Sequence, residues 1–281
     1  MKTLDDKVIV ITGAGSGIGR ALALRAAAAG ARLAISDVNA DGLDETARAA
    51  KDAGAKEVQS LRLDVSDREA FAAYADLVAE HFGRVDAVIN NAGVALAGDF
   101  EDMDYEDMDW IVGVNYWGVV HGSKEFLPHL IASGDGHLVN ISRLFGLISM
   151  PGQTAYNATK YAVRGMSEAL REEMLISGHP VAVSVVHPGG IKTGIARNSR
   201  VTKGEDQAAT AKFFDEKLAR MTPEKAAQII LDGMLAAKPR IIVGMDAHAL
   251  FTLSKVVGPR YQDIVARAAS RVLPKSSGRT H

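Results

Sequence analysis

Lys7-Val8-Ile9-Val10-Ile11-Thr12-Gly13-Ala14-Gly15-Ser16-Gly17-Ile18-Gly19 is the stretch on which the fold turns. Its first half is an unbroken run rich in β-branched residues, the composition of a strand buried on both faces. Its second half is a glycine loop, and residues 20–29 behind it are expected to be helical up to Gly30. A strand, a glycine loop and a helix in that order make a candidate nucleotide site. The glycines let the backbone approach a pyrophosphate, whose charge sits at the helix N-terminus. A flexible turn without a ligand is the competing reading of the same glycines.

From there the chain alternates. Residues 32–36 read as a second strand ending in Asp37. An acidic residue roughly 20 positions past the loop is where a ribose 2′-hydroxyl would be bound. Asp37 would repel a 2′-phosphate and no Arg or Lys follows it closely, so the pattern favours NAD over NADP. Capping of the helix that starts near Asn39 and Ala40 is the alternative role. Helix 42–53, strand 58–65 with Asp64 and Val65 at its end, and helix 67–82 capped by Ser66 come next. Strand 85–89 ends in Asn90-Asn91-Ala92-Gly93. Residues 103–130 read as one long helical region in which Asn115 sits among Val114, Tyr116 and Trp117. An amide there needs partners, so it belongs either to a structural network or to a site. Strands at 136–142 and 181–187, a helix at 223–237 opened by Pro223 and a short strand Arg240–Val243 complete the pattern. Such alternation predicts an α/β fold: one Rossmann-type, doubly wound parallel sheet with helices on both faces. Ligands then bind beyond the carboxyl ends of the strands, where each of these motifs falls.

Composition narrows the function classes. With 281 residues the chain can bury a full core, and 47% hydrophobic with 23% charged residues is ordinary for a soluble globular protein. A net charge of −2 gives no reason to expect nucleic acid or an anionic membrane as partner. The chain contains no cysteine, which excludes disulfides and thiolate zinc sites. Residues 1–7 lack the apolar core of a signal peptide, and no apolar run reaches the roughly 18 residues of a membrane span. A cytoplasmic location is expected. One domain over 1–245, with the polar segment 194–222 as a substrate lid, and a C-terminal helical extension and disordered tail over 246–281 are the expected organisation.

The chemistry is carried by a second stretch, Gln153-Thr154-Ala155-Tyr156-Asn157-Ala158-Thr159-Lys160. Tyr156 and Lys160 would lie one turn apart on one helix face. Tyr156 could exchange a phenolic proton, and Lys160 beside it would lower its pKa by favouring the phenolate. That spacing alone occurs by chance on surface helices. Together with the glycine loop it gains force.

Taken in order, Thr12–Gly19, Asp64-Val65, Asn90-Asn91-Ala92-Gly93, Asn115, Tyr156 with Lys160, and Pro188-Gly189 with Thr193 resemble the short-chain dehydrogenase/reductase family over roughly 7–243. The resemblance implies NAD as cofactor and no metal. Gly13, Ser16, Gly17, Ile18 and Gly19 would cradle the pyrophosphate, Asp37 the adenosine ribose, and Asp64 with Val65 the adenine. Asn91, Ala92, Gly93, Pro188 and Gly189 would also line the cofactor site, while Ile191 and Thr193 would hold the carboxamide. It further implies Tyr156 as general acid/base, Lys160 on the nicotinamide ribose and Asn115 in a proton relay. A homodimer or homotetramer, paired through the helices around 103–130 and 156–176, is expected on the same ground.

One position departs from the family. Its catalytic serine position, counted back from Gly146 or Tyr156, falls on Arg143, with Ser142 as its neighbour. Adjacent strand residues point to opposite faces. Three readings are open: Arg143 impairs the site, a local bulge lets Ser142 serve, or Arg143 has a positive role such as pairing a substrate carboxylate. The function expected is interconversion of a secondary alcohol and a ketone or aldehyde, with Leu144, Phe145, Met150 and Ile195 suggesting an apolar or aromatic substrate. The rival is an NAD-binding pseudoenzyme that works by binding alone.

Overall fold

The computed structural model describes residues 1–203, 205–214, 216 and 219–272. Seven parallel strands form the central sheet: β1 (Val8–Thr12), β2 (Arg32–Asp37), β3 (Glu57–Arg62), β4 (Ala87–Asn90), β6 (Gly136–Ile141), β7 (Val181–Pro188) and β9 (Arg240–Val243). Their order is β3-β2-β1-β4-β6-β7-β9, with the reversal between β1 and β4 that opens a ligand crevice at the strand ends. The expected doubly wound parallel sheet is therefore present. A separate parallel pair joins β5 (Leu96–Ala97) to β8 (Arg200–Val201).

Alternation along β1 shows why both faces are covered. Ile9 and Ile11 enter one core with residues of α1 (Gly17–Ala28), α2 (Ala40–Asp52) and α8 (Pro223–Leu235). Val8 and Val10 enter the other, with residues of α3 (Arg68–Phe82), α5 (Gly118–Ala132) and α6 (Thr154–Ile176). A third, smaller cluster lies over the strand ends and contains Leu96, Met103, Ile111, Leu144, Phe145, Ile148 and Tyr156.

Several local expectations are corrected. The region 103–130 is not one helix: α4 (Tyr105–Val112) passes into a π-turn at Gly113–Trp117 before α5 resumes. That wider turn has Asn115 at its centre. Asp67, not Ser66, caps α3, its carboxylate accepting from Ala70 N, while Ser66 donates from N and Oγ to Asp64 Oδ1. Asp64 and Val65 follow β3 in a turn rather than ending it, and Val85 precedes β4. Asn39 caps α2, which releases Asp37 from that role.

The 194–222 segment is not plain loop. It carries β8 and the two-turn helix α7 (Gln207–Phe213), and Arg200 ties it to α4 by stacking 4.0 Å from the Trp110 ring centroid and pairing with Asp107. After β9, α9 (Met245–Val257) and α10 (Tyr261–Val272) fold back on the body, with Ala247 fully buried and Tyr261 Oη accepting from Ser149 N at 3.0 Å. The tail expected to be disordered, 273–281, lies outside the described residues. Among those described, no helix is long and apolar enough to cross a membrane.

Candidate active site

The glycine loop is pinned by its neighbours. Thr12 Oγ1 accepts from the N–H groups of Asn91 and Ala92, and Asn91 Nδ2 donates to the carbonyls of Thr12 and Gly13. Asp37 Oδ2 accepts from Gly15 N at 2.8 Å, which fixes the far side of the loop against β2. A Cβ on Gly19 would collide with the Gly13 carbonyl, so only glycine lets α1 start this close to β1. Ser16 precedes α1 without forming a side-chain cap, which leaves the first-turn N–H groups, including those of Gly17 and Ile18, to an outside anion. A dinucleotide's pyrophosphate fits that cradle.

Beyond it lie the other expected contacts. Val65 is buried, its carbonyl bonded to His121 Nδ1 at 3.0 Å, while Asp64 is exposed. Pro188 ends β7, Gly189 N donates to Val243 O at 2.8 Å, and Ile191 is fully buried beside Met221. Thr193 reaches back to the loop, its Cγ2 being 3.2 Å from where a Gly17 Cβ would stand.

Tyr156, Lys160 and Asn115 converge across Gly93. A Cβ built on Gly93 would lie 3.1 Å from Asn115 Oδ1 and 3.4 Å from Lys160 Nζ. Asn115 is fully buried; Oδ1 accepts from Val94 N at 2.8 Å and Nδ2 donates to Val94 O at 2.9 Å. Lys160 Nζ stands 5.6 Å from the Tyr156 ring centroid and donates to Ile141 O at 3.4 Å. Phe145 meets the Tyr156 ring edge-on at 6.2 Å.

Electrostatics here differ from the expectation. Burial raises the Tyr156 hydroxyl above its ordinary value, and the nearby cation that opposes this is Arg143 rather than Lys160. Lys160 itself is pushed down to about 7, by burial first and by the Arg143 charge second. Arg143 is buried, follows β6 in extended backbone, and lies with its guanidinium 5.4 Å from the Phe214 ring centroid. Ser142 faces the other way and donates to Lys160 O at 2.7 Å. It bonds the backbone of α6.

Two features had no place in the sequence reading. Asn90, Asn140, Ser123 and Ser167 form a buried network joining β4 and β6 to α5 and α6. Their scatter along the chain gives no local signal. Asp246, in the first turn of α9, accepts from Gly190 N at 2.8 Å and so grips the turn carrying Ile191 and Thr193. An acid placed directly after the last strand was the available clue.

Comparison with known proteins agrees with this fold. Residues 7–204 match the short chain dehydrogenase family model. The Mycobacterium tuberculosis protein named SadH is 54% identical over 274 residues, covering 98% of this chain and 99% of that one. The C alpha-dehydrogenase of Sphingobium sp. SYK-6 is 34% identical, over 88% of this chain and 86% of its own. Among solved structures, a short chain dehydrogenase/reductase from Burkholderia phymatum in complex with NAD superposes with a TM-score of 0.84 at 32% identity, covering 95% of this chain and 97% of that one. This chain belongs to the short-chain dehydrogenase/reductase family of oxidoreductases.

Proposed function

We propose that the chain interconverts a secondary alcohol and a ketone or aldehyde with NAD(H), Tyr156 acting as general acid/base. The observation that carries this reading is the buried Tyr156–Lys160 pair on α6, facing Asn115 across Gly93 at the carboxyl edge of the sheet. Bound NAD would take a hydride from the carbinol carbon or return one to the carbonyl. Tyr156 would receive the hydroxyl proton in oxidation and donate it in reduction. Lys160, near neutrality in its titration, would pass protons on, with Asn115 holding residue 94 beside it. The glycine loop with Asp37 would hold the pyrophosphate and the adenosine ribose, and Asp64 with Val65 the adenine. The 194–222 segment would act as the lid, Phe214 being its contact with Arg143. The solved relative that contains NAD and the dehydrogenase name of the Sphingobium relative support the same choice. Exposed Trp117 on the π-turn and Tyr161 on α6 suit pairing into a homodimer or homotetramer. A cytoplasmic location belongs to the same proposal.

The test is turnover of a panel of apolar and aromatic secondary alcohols and ketones, with NADH binding followed by fluorescence. Tyr156→Phe should keep NADH binding and lose about 10²–10⁴ in rate. Full activity in that variant would refute the assignment. Arg143 favours a second reading, an NAD-binding pseudoenzyme. Cofactor binding without turnover, in both this chain and Arg143→Ser, would establish it instead.

A further inference from the structure

Arg143 is a buried cation to which the described chain supplies no carboxylate. Its residue is 8% exposed, the most secluded arginine among those described. Arg20, Arg32, Arg84, Arg164, Arg200 and Arg240 lie nearer the surface, and each pairs with an acid. Among the described residues Arg143 has instead the Phe214 ring at 5.4 Å and the Tyr156 hydroxyl as its neighbours, with Lys160, another base, close by. A guanidinium withdrawn from water calls for an anion in reach of its fork. Among the described residues none provides a permanent one.

We infer that Arg143 makes this pocket selective for substrates bearing a carboxylate on the carbon next to the reacting centre, that is, 2-hydroxy acids and the matching 2-oxo acids. This deepens the dehydrogenase reading above and rests on it. The reacting oxygen must meet Tyr156. Arg143 immediately precedes Leu144 and Phe145, which pack around the Tyr156 ring, while its charge acts on the Tyr156 hydroxyl, so the anion it receives lies close to that oxygen. A planar fork held against an aromatic ring matches a carboxylate in two parallel bonds, which a lysine would not. Leu144 and Phe145, both buried in the cluster around Tyr156, leave the remainder of the substrate apolar. Ser142 cannot share the task, because its hydroxyl is committed to Lys160 O. The step balances without a further reagent: the C2–H pair leaves as hydride to NAD⁺, the hydroxyl proton passes to Tyr156, and the C2–O bond becomes a carbonyl. A carboxylate bound first also cancels the repulsion between Arg143 and a positively charged oxidised cofactor.

Mandelate and methyl mandelate share one skeleton and differ in charge, which makes them the probes. Each is titrated calorimetrically into the full-length protein saturated with NADH, a pairing in which no oxidation can occur, and each is then assayed for oxidation with NAD⁺. Mandelate is expected to bind at least tenfold more tightly than its ester. Arg143→Ser should reverse that preference by at least tenfold, and Arg143→Lys should restore part of it. Mandelate that binds no better than the ester, or equally well to Arg143→Ser, overturns the inference. Turnover separates the two layers: oxidation of the ester without an acid preference leaves the dehydrogenase reading standing and removes this one. An acid preference that depends on Arg143, with neither compound oxidised by any variant, keeps carboxylate recognition and removes the dehydrogenase reading.

Discussion

Ser142 and Arg143 leave the end of β6 in opposite directions: Ser142 Oγ donates to Lys160 O at 2.7 Å, while the Arg143 guanidinium lies 5.4 Å from the Phe214 ring centroid beside Tyr156. Strand alternation alone produces this divergence. No bulge brings the serine back; Ser142 N still pairs with Val186 O at 2.9 Å, in register with β7.

The two side chains should therefore separate cleanly on mutation. Ser142→Ala should cost about 1 kcal/mol of stability, the net worth of one buried hydrogen bond, with kcat nearly unchanged. Arg143→Ser should raise kcat for neutral secondary alcohols by about 10², since a hydroxyl donor at the developing oxyanion is worth 10²–10³ in other enzymes. Urea midpoints and steady-state kinetics read both. Loss of turnover in Ser142→Ala, or none gained in Arg143→Ser, would reverse the assignment.

Lys160 should make stability rise with pH. Its folded pKa is about 7, below the ordinary lysine value, because of burial and the Arg143 charge. Between about 7 and about 10 the unfolded chain therefore holds a proton that the folded chain has released. Folding then gains with rising pH, by at most about 1.4 kcal/mol per unit. Above about 10 the raised Tyr156 works in the opposite sense. Lys160→Met should flatten the rise in Tm between pH 7 and 10, whatever it does to Tm itself. An unchanged slope would mean that Lys160 stays charged in the fold.

On the acid side the buried histidines dominate. His137 and His187 are each held near 4, chiefly by burial. His137 bonds Ser184 Oγ at 2.8 Å, and that hydroxyl already donates to Lys238 O, so the histidine must be the donor. His187 Nδ1 donates to Arg143 O at 2.9 Å. Both folded pKa values lie below the unfolded one, so stability is lost as pH falls from about 6.5 toward 4. Replacing His187 with Asn should leave a donor in place and remove its share of that loss. A denaturant midpoint with the same pH slope in wild type and variant would contradict this.

How far the sequence reached depends on the range of each signal. The β-branched runs and glycine loop are local, and β1, β2 and the order of strands and helices follow from them. Helical spacing alone places Tyr156 and Lys160 one turn apart on α6, while any role for the pair drew on the glycine loop as well. The π-turn at Asn115 was invisible, because an α-period pattern continues on either side of it. Ser66 misled through its type: an adjacent Asp67 competes for the same cap, and Asp64 captures the serine. The direction of the Tyr156 shift was also out of reach, since it depends on burial and on Arg143, thirteen positions away in the chain. Contacts between distant segments leave no local trace.

Asp246 is the strongest instance, and it yields the last prediction. Its carboxylate accepts from Gly190 N at 2.8 Å, and a Cβ on Gly189 would strike it, so strand end, turn and α9 are locked together. The same turn returns through Gly190 O, which accepts from Arg220 N at 3.0 Å, and Lys192 N donates to Met221 O at 2.8 Å. Removing the carboxylate leaves the Gly190 N–H short of a partner, at a cost of about 1–3 kcal/mol. If that turn holds the carboxamide end of the cofactor, Asp246→Ala should weaken NADH binding about tenfold, the equivalent of roughly 1.4 kcal/mol. Asp246→Asn, which keeps an acceptor, should retain most of the affinity. Fluorescence titration beside thermal unfolding distinguishes the cases: a lower Tm with unchanged NADH affinity would make Asp246 a clamp for α9 alone, with no hold on the cofactor turn.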